Sequence, residues 1–190
     1  MFAIIAESAA DIQVCLISKS SSANFTVGYF QEGVKFAQSH HLRLAIKASG
    51  HDWLGRSTAH SSLLIHTHKL QNVEFTDSFK VGGKNKGTTV TVGSGVNLNH
   101  LYNATAAKGK IFVGGSAATI VAAGGYVQGG GHSALGPLFG MAADNCLGKD
   151  ECYFSSLIDA HLLTEFKVVV ADGRLLRVNE AENADCESVL

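Results

Sequence analysis

The stretch Gly124-Gly-Tyr-Val-Gln-Gly-Gly-Gly-His-Ser133 places five glycines within eight residues. No helix or strand interior tolerates that density. Such a backbone is suited to positive φ angles and to close approach by a bulky ligand. Its bare amides suit negative or strongly accepting groups, a pyrophosphate among them. The run continues into Gly140-Met-Ala-Ala-Asp-Asn145, and a second glycine segment, Lys47-Ala-Ser-Gly-His-Asp-Trp-Leu-Gly-Arg-Ser57, lies upstream. Two such segments point to a large phosphate-bearing cofactor rather than to a purely structural domain.

The remaining composition narrows the class. The chain has 190 residues, 46% hydrophobic and 16% charged, with a formal net charge of -1. This predicts one globular domain or two small lobes with a sizeable core, and argues against disorder throughout. A near-neutral balance without a basic tract gives no case for nucleic acid or a membrane surface as partner. Gly is abundant at 21 and Pro scarce at 1, and the glycines cluster as placed turns rather than as a linker. Cys15, Cys146, Cys152 and Cys186 match no zinc or redox spacing. No run is long and apolar enough to cross a bilayer, and Met1 to Ala6, followed by Glu7, is too short for a signal peptide. Asn24-Phe-Thr26 and Asn103-Ala-Thr105 are glycosylation sequons that carry meaning only in a secreted chain.

The periodicities describe mixed α and β structure. Phe30, Val34 and Ala37 stand at helical spacing, and a helix is expected to begin near Asp11 and to be interrupted by Ser18 to Ser22. Leu42, Leu44 and Ile46 alternate with Arg43, Ala45 and Lys47, a strand ending at the first glycine loop. Ser62 to Thr67, Val73 to Phe75, Thr88 to Val92 and Ile111 to Val113 read as further strands. Asn97 caps a helix with Leu98, Leu101, Tyr102 and Thr105 on one face, which Gly109 ends. Asp172-Gly173 between two alternating runs predicts a hairpin.

Rival chemistries fit less well. A nicotinamide-binding fingerprint needs G-x-G-x-x-G opening a helix after a strand, and Gln128-Gly-Gly-Gly131 lacks that spacing. His66 and His68 share one strand face, with His60 nearby, but no carboxylate or cysteine completes a metal set. Ser133 directly follows His132 and has no nucleophile-elbow context. Asp52 is read either as orienting the His51 imidazole or as a turn residue.

Lys47 to Thr58, Thr67-His-Lys-Leu70, Gly124 to Asn145 and Glu165 to Gly173 together resemble the FAD-linked oxidases of the vanillyl-alcohol oxidase type. The likeness falls in the berberine-bridge-enzyme-like branch, nearest to fungal isoamyl alcohol oxidase-like proteins. It implies an α+β FAD-binding domain of the PCMH type, with two small α/β lobes and FAD lying between them. On that resemblance Ser49, Gly50, His51, Asp52, Gly55, Arg56 and Ser57 form the pyrophosphate-binding loop, and His51 stands where the family attaches the flavin 8-methyl carbon. Gly124, Gly125, Gln128, Gly129, Gly130 and His132 are expected to line the flavin, with Asp144 toward the adenosine side. The amides of Gly129 to Gly131 are expected to stabilise negative charge on the reduced ring. Many relatives carry a second flavin link on a cysteine where this chain has Ser116-Ala-Ala-Thr119, so one histidyl link is expected.

The implied reaction is hydride transfer from an alcohol or similar CH–OH donor to flavin, with molecular oxygen as acceptor and a small molecule as substrate. The resemblance also implies secretion. Residues 1–185 are expected to form the FAD-binding domain, with insertions near 15–30 and 146–163, and 186–190 a tail outside the family pattern. The substrate domain and the catalytic base of the family have no counterpart in the chain. The competing expectation is a non-catalytic remnant of a flavin domain.

Overall fold

A computed structural model describes residues 2–5, 12–15, 27–81, 83–85, 87–145, 154–155, 166–178 and 183. Most of both suspected insertions, 16–26, 146–153 and 156–163, lies outside the described residues. The chain divides into two compact units, Met1–Leu70 with Val169–Leu175, and Gln71–Val168 with Leu176–Leu190.

In the first unit, β1 (Phe2–Ile5), β2 (Ile12–Cys15), β3 (Arg43–Lys47) and β4 (Ser62–His66) form a sheet of order β2-β1-β4-β3. The β2 strand replaces the helix expected near Asp11. Ile12 and Val14 are β-branched at alternating positions, and pairing antiparallel with β1, Ile5 opposite Ile12, overrides the weak helical pattern. Strand β4 has β1 antiparallel on one side and β3 parallel on the other. Ser62, Leu63, Leu64 and Ile65 are accordingly all buried, as a central strand requires.

Helix α1 (Val27–Ser39) packs on β3 and β4 through Val34 and Ala37, the latter clustered with Leu63 and Leu44. It ends with His41 at φ 53 and the Leu42 amide bonded to Ala37 O at 2.8 Å, a left-handed closure that satisfies a terminal carbonyl. The hairpin turn at Gly173 sits on this helix: Gln31 Nε2 donates to Gly173 O at 2.9 Å. A Cβ on Gly173 would lie 2.6 Å from Lys35 Cγ.

The second unit holds the larger core. After β5 (Val73–Thr76) and the short ribbon β6 (Lys80–Val81) with β7 (Lys84–Asn85), strand β8 (Thr89–Val92) is buried along its whole length. Helix α2 (Leu98–Ala106) places Leu98, Leu101 and Thr105 inward, as its periodicity predicts. Val90, Val92, Val96, Leu98, Leu101, Phe112, Ala122, Ala123, Val127 and Ala142 form one apolar cluster. The helix start is closed twice: Asn97 Oδ1 accepts the His100 amide, and the Leu98 and Asn99 amides bond to Ile120 O and Ala118 O.

Ile111 to Val113 form no strand. The segment joins none of the described sheets, although Phe112 and Val113 are buried and Ile111 is exposed. The segment is held instead by side chains, with Phe112 edge-on to Tyr102 at a centroid distance of 6.0 Å. The four-residue helix α3 (Gly136–Phe139) follows the glycine run, and β9 (Phe154–Ser155) extends the sheet to β5-β8-β9. The expected hairpin is present as β10 (Phe166–Val169) and β11 (Leu175–Val178) around Asp172-Gly173.

Asn97→Ala removes the side-chain cap of α2 and is expected to lower stability by about 1 kcal/mol, read from the urea midpoint. Asn97→Asp, which keeps the acceptor, is expected to stay near wild type.

Candidate functional site

Parallel β3 and β4 run in the same direction in register, with Lys47 opposite His66. The first glycine loop leaves at the carboxyl end of β3, the end of such sheets where ligands bind. It gathers Ser49, Gly50, His51, Asp52, Gly55, Arg56 and Ser57 onto one connection. Gly50, His51, Gly55 and Arg56 are exposed, and Ser49, Asp52 and Ser57 half-buried. Gly50 and Gly55 take φ of 90° and 72°, left-handed values that a side chain resists. A Cβ at Gly55 would meet nothing within 4 Å, so open space lies in front of that backbone. Beside it Trp53 is wholly exposed, at 100%, and Leu54 is exposed as well.

Asp52 closes the turn onto Arg56. Its Oδ2 accepts the Arg56 amide at 2.5 Å, and its Oδ1 accepts Arg56 Nη2 at 2.6 Å and Nε at 3.1 Å. The Arg56 side chain, and then its backbone amide, hold the Asp52 carboxyl below its ordinary value. Arg56 is thereby committed to closing its own loop. The cation that stands next to the loop backbone is Lys47, whose Nζ lies 3.3 Å from where a Gly50 Cβ would be. Sequence reading missed Lys47 as a site residue, because the proximity depends on the Gly50 turn folding back over β3.

His66 was also missed. Its Nε2 lies 3.1 Å from Ala48 O. A carbonyl only accepts, so Nε2 carries the proton. Burial, against a smaller opposing effect of that bond, lowers the His66 pKa. His68 packs on it at a centroid distance of 4.2 Å. Among the described residues no group of three or more His, Cys, Asp or Glu is placed to hold a metal ion.

The second glycine segment builds its own turn in the second unit. One wide helical turn, Ala122–Tyr126, contains non-helical angles at Ala123 and Gly124 and leads into Val127 and Gln128. The Gly129 amide bonds to Gly125 O and the Gly130 amide to Val127 O, both at 3.0 Å. Two of the three amides expected to face the reduced ring are therefore engaged inside the turn. The carbonyls of Gly131 and Gly130 accept the amides of Ala142 and Ala143, which docks the following turn on the run. Asp144 belongs to that turn: its Oδ2 accepts the Met141 amide at 2.7 Å.

Two tyrosines brace this backbone. Tyr102 donates to Gly115 O at 2.6 Å, and Tyr126 donates to His132 O at 2.8 Å. Burial, with a smaller contribution from Tyr102, pushes the Tyr126 hydroxyl up to about 12. The glycines separate by role. A Cβ at Gly131 would lie 2.6 Å from Ala142 Cβ, so packing requires that glycine, whereas one at Gly130 would meet only the flexible end of Met141 and is resisted by its φ of 91°. A Cβ at Gly125 would meet nothing within 4 Å. Within the first unit, the open backbone at Gly55 and the ammonium of Lys47 fit a phosphate-bearing ligand.

Residues 26–150 match the family model described as "FAD binding domain". An FAD-linked oxidoreductase of Arthroderma benhamiae, itself uncharacterised, is 44% identical over 159 residues, covering 82% of this chain and 24% of that protein. An FAD-linked oxidoreductase of Gibberella zeae is 39% identical, covering 84% of this chain and 25% of that protein. The crystal structure of a VAO-type flavoprotein from Myceliophthora thermophila superposes with a TM-score of 0.71 at 34% identity, covering 85% of this chain and 26% of that chain. The chain thus spans about a quarter of the length of the relatives it matches.

Two outcomes follow from the tyrosine and glycine geometry. Gly131→Ala, with φ of 74° and the contact at Ala142, is expected to cost about 2–4 kcal/mol, whereas Gly125→Ala leaves the urea midpoint unchanged or raises it. The raised Tyr126 pKa adds stability that is full below the unfolded value of about 10 and is lost as pH rises through about 12. Melting temperature should therefore fall between those values, and fall less in Tyr126→Phe.

Proposed function

The chain belongs to the FAD-binding-domain family of FAD-linked oxidoreductases, and on that premise we propose that it holds FAD for the oxidation of an alcohol or a similar CH–OH donor, with molecular oxygen as final acceptor. The family is enzymatic and its cofactor is FAD. The observation that carries the reading is the exposed loop 48–57. It stands at the carboxyl end of two parallel strands, with positive-φ glycines, open space at Gly55 and the Lys47 ammonium beside Gly50.

FAD, when bound, would supply two-electron redox chemistry, coupling oxidation of the CH–OH donor to reduction of oxygen to hydrogen peroxide. The protein's residues bind and orient. Backbone amides of Ser49 and Gly50 and the hydroxyl of Ser57 hold the diphosphate, as neutral donors in a turn do. Lys47 contributes the positive charge. Arg56 works through Asp52, keeping the loop closed. His51 is the residue that would tether the flavin ring, which would keep the ring from diffusing away. Gly124, Gly125, Gln128, Gly129, Gly130 and His132 line the ring, with Gly125 admitting the closest approach. Asp144 keeps the neighbouring turn in place.

Purified protein supplied with FAD is expected to be yellow, and the colour is expected to stay in the pellet after acid precipitation. In His51→Ala the flavin should be released to the supernatant. A wild-type protein that takes up no flavin sinks the proposal, and flavin retained in the variant pellet sinks the assignment of His51. Lys47→Gln is expected to weaken FAD binding about tenfold, more than Arg56→Gln, by flavin fluorescence titration. Oxygen uptake with a panel of primary alcohols tests the donor class.

A further inference from the structure

We infer that His66 is a positioning residue for the loop that follows β3: its ring clamps the first peptide of that loop and so sets the direction of the amides presented to the diphosphate. The binding half of this inference rests on the FAD reading above, whereas the clamp itself does not.

The β3–β4 ladder ends at the pair Lys47 and His66. Beyond it the Thr67 amide still bonds to Lys47 O at 2.9 Å, and the chains then part. The next carbonyl, Ala48 O, has moved past the reach of the β4 backbone. The His66 side chain spans the difference, with Nε2 3.1 Å from that oxygen. The His68 ring, 4.2 Å away between centroids, packs against the imidazole and restricts its rotation.

The consequence follows from peptide geometry. In a planar trans peptide the carbonyl and the next N–H point in opposite directions. Pinning Ala48 O toward His66 therefore turns the Ser49 N–H the other way. One residue later Gly50, at φ of 90°, folds over the Lys47 side chain. A Cβ at Gly50 would sit 2.8 Å from Lys47 Cε, so the Lys47 stem runs beside the turn. The start of the loop is thus fixed at two points: Lys47 O by Thr67 and Ala48 O by His66.

The test uses the full chain with His66→Phe, which keeps a flat ring without the donor, and His66→Gln, which keeps an N–H donor. In ligand-free protein, His66→Phe is expected to speed amide hydrogen exchange across 48–57 at least tenfold, and His66→Gln to restore most of the protection. With FAD, His66→Phe should raise the dissociation constant about tenfold, the loss of one neutral hydrogen bond, while His66→Gln stays within threefold of wild type. Nitrogen-15 spectra of wild-type protein should show the Nε2-protonated neutral tautomer of His66, a readout independent of any variant's folding. Unchanged exchange in a folded His66→Phe, a His66→Gln that behaves like His66→Phe, or an Nδ1-protonated ring overturns the clamp. If wild-type protein binds no FAD, the proposed function and the binding half fall together. Exchange and the tautomer then decide the clamp alone.

Discussion

Two parallel strands side by side cannot be joined by a tight turn, because the chain must travel back the length of the strand before it can pair again. The parallel pairing of β3 with β4 imposes that journey on residues 48–61. Much of what makes the first unit a candidate site follows from it. The connection carries no helix, so its polar backbone is satisfied by short local closures: Gly55 to Asp52, Thr58 to Gly55, and the Asp52 carboxylate to the Arg56 amide. Each closure uses an amide or a side chain at the back of the loop. Gly50 and His51 stay exposed, as do residues 53–56.

The second unit solves a different problem with the same residue type. Glycine is needed at 131 because a neighbouring side chain fills the space and φ is positive, and at 130 because φ is positive, so those positions serve the protein's own fold. Glycine at 125 meets no such demand. Alanine would fit there, so packing among the described residues does not require the glycine. The tyrosines make the same division visible. Their hydroxyls are spent on Gly115 O and His132 O, anchoring the two ends of glycine-rich segments whose own side chains can anchor nothing.

Local signals were legible in the sequence, and spatial ones were not. Asn97 and Gly109 bound α2 because capping and left-handed termination depend on the residues themselves. Asp172-Gly173 set the hairpin for the same reason. The helix expected near Asp11 became a strand, since a four-residue apolar segment takes the structure of its partner, and β1 lies far from it in periodicity terms. Ile111 to Val113 looked like a strand by composition but is held by Tyr102 and the glycines after it. The loop residues 49–57 were found from their motif. Lys47 and His66 were not, because Lys47 acts through the fold of Gly50, and His66 reaches Ala48 across eighteen positions of sequence.

The charge arrangement of the first loop also follows from this geometry. Sequence alone offers Arg56 as the natural phosphate binder, since a guanidinium presents a planar fork to paired oxygens. In the folded loop the carboxylate of Asp52 occupies part of that fork, through Nε and Nη2, and the pair is close to neutral. On the proposed FAD reading, attraction for a diphosphate then rests on backbone dipoles plus the point charge of Lys47. An ammonium suits this position, being compact and free to rotate about a stem that runs beside Gly50. An arginine held by an aspartate, and a lysine beside a glycine turn, divide the work: the first keeps the loop's shape, and the second supplies its field.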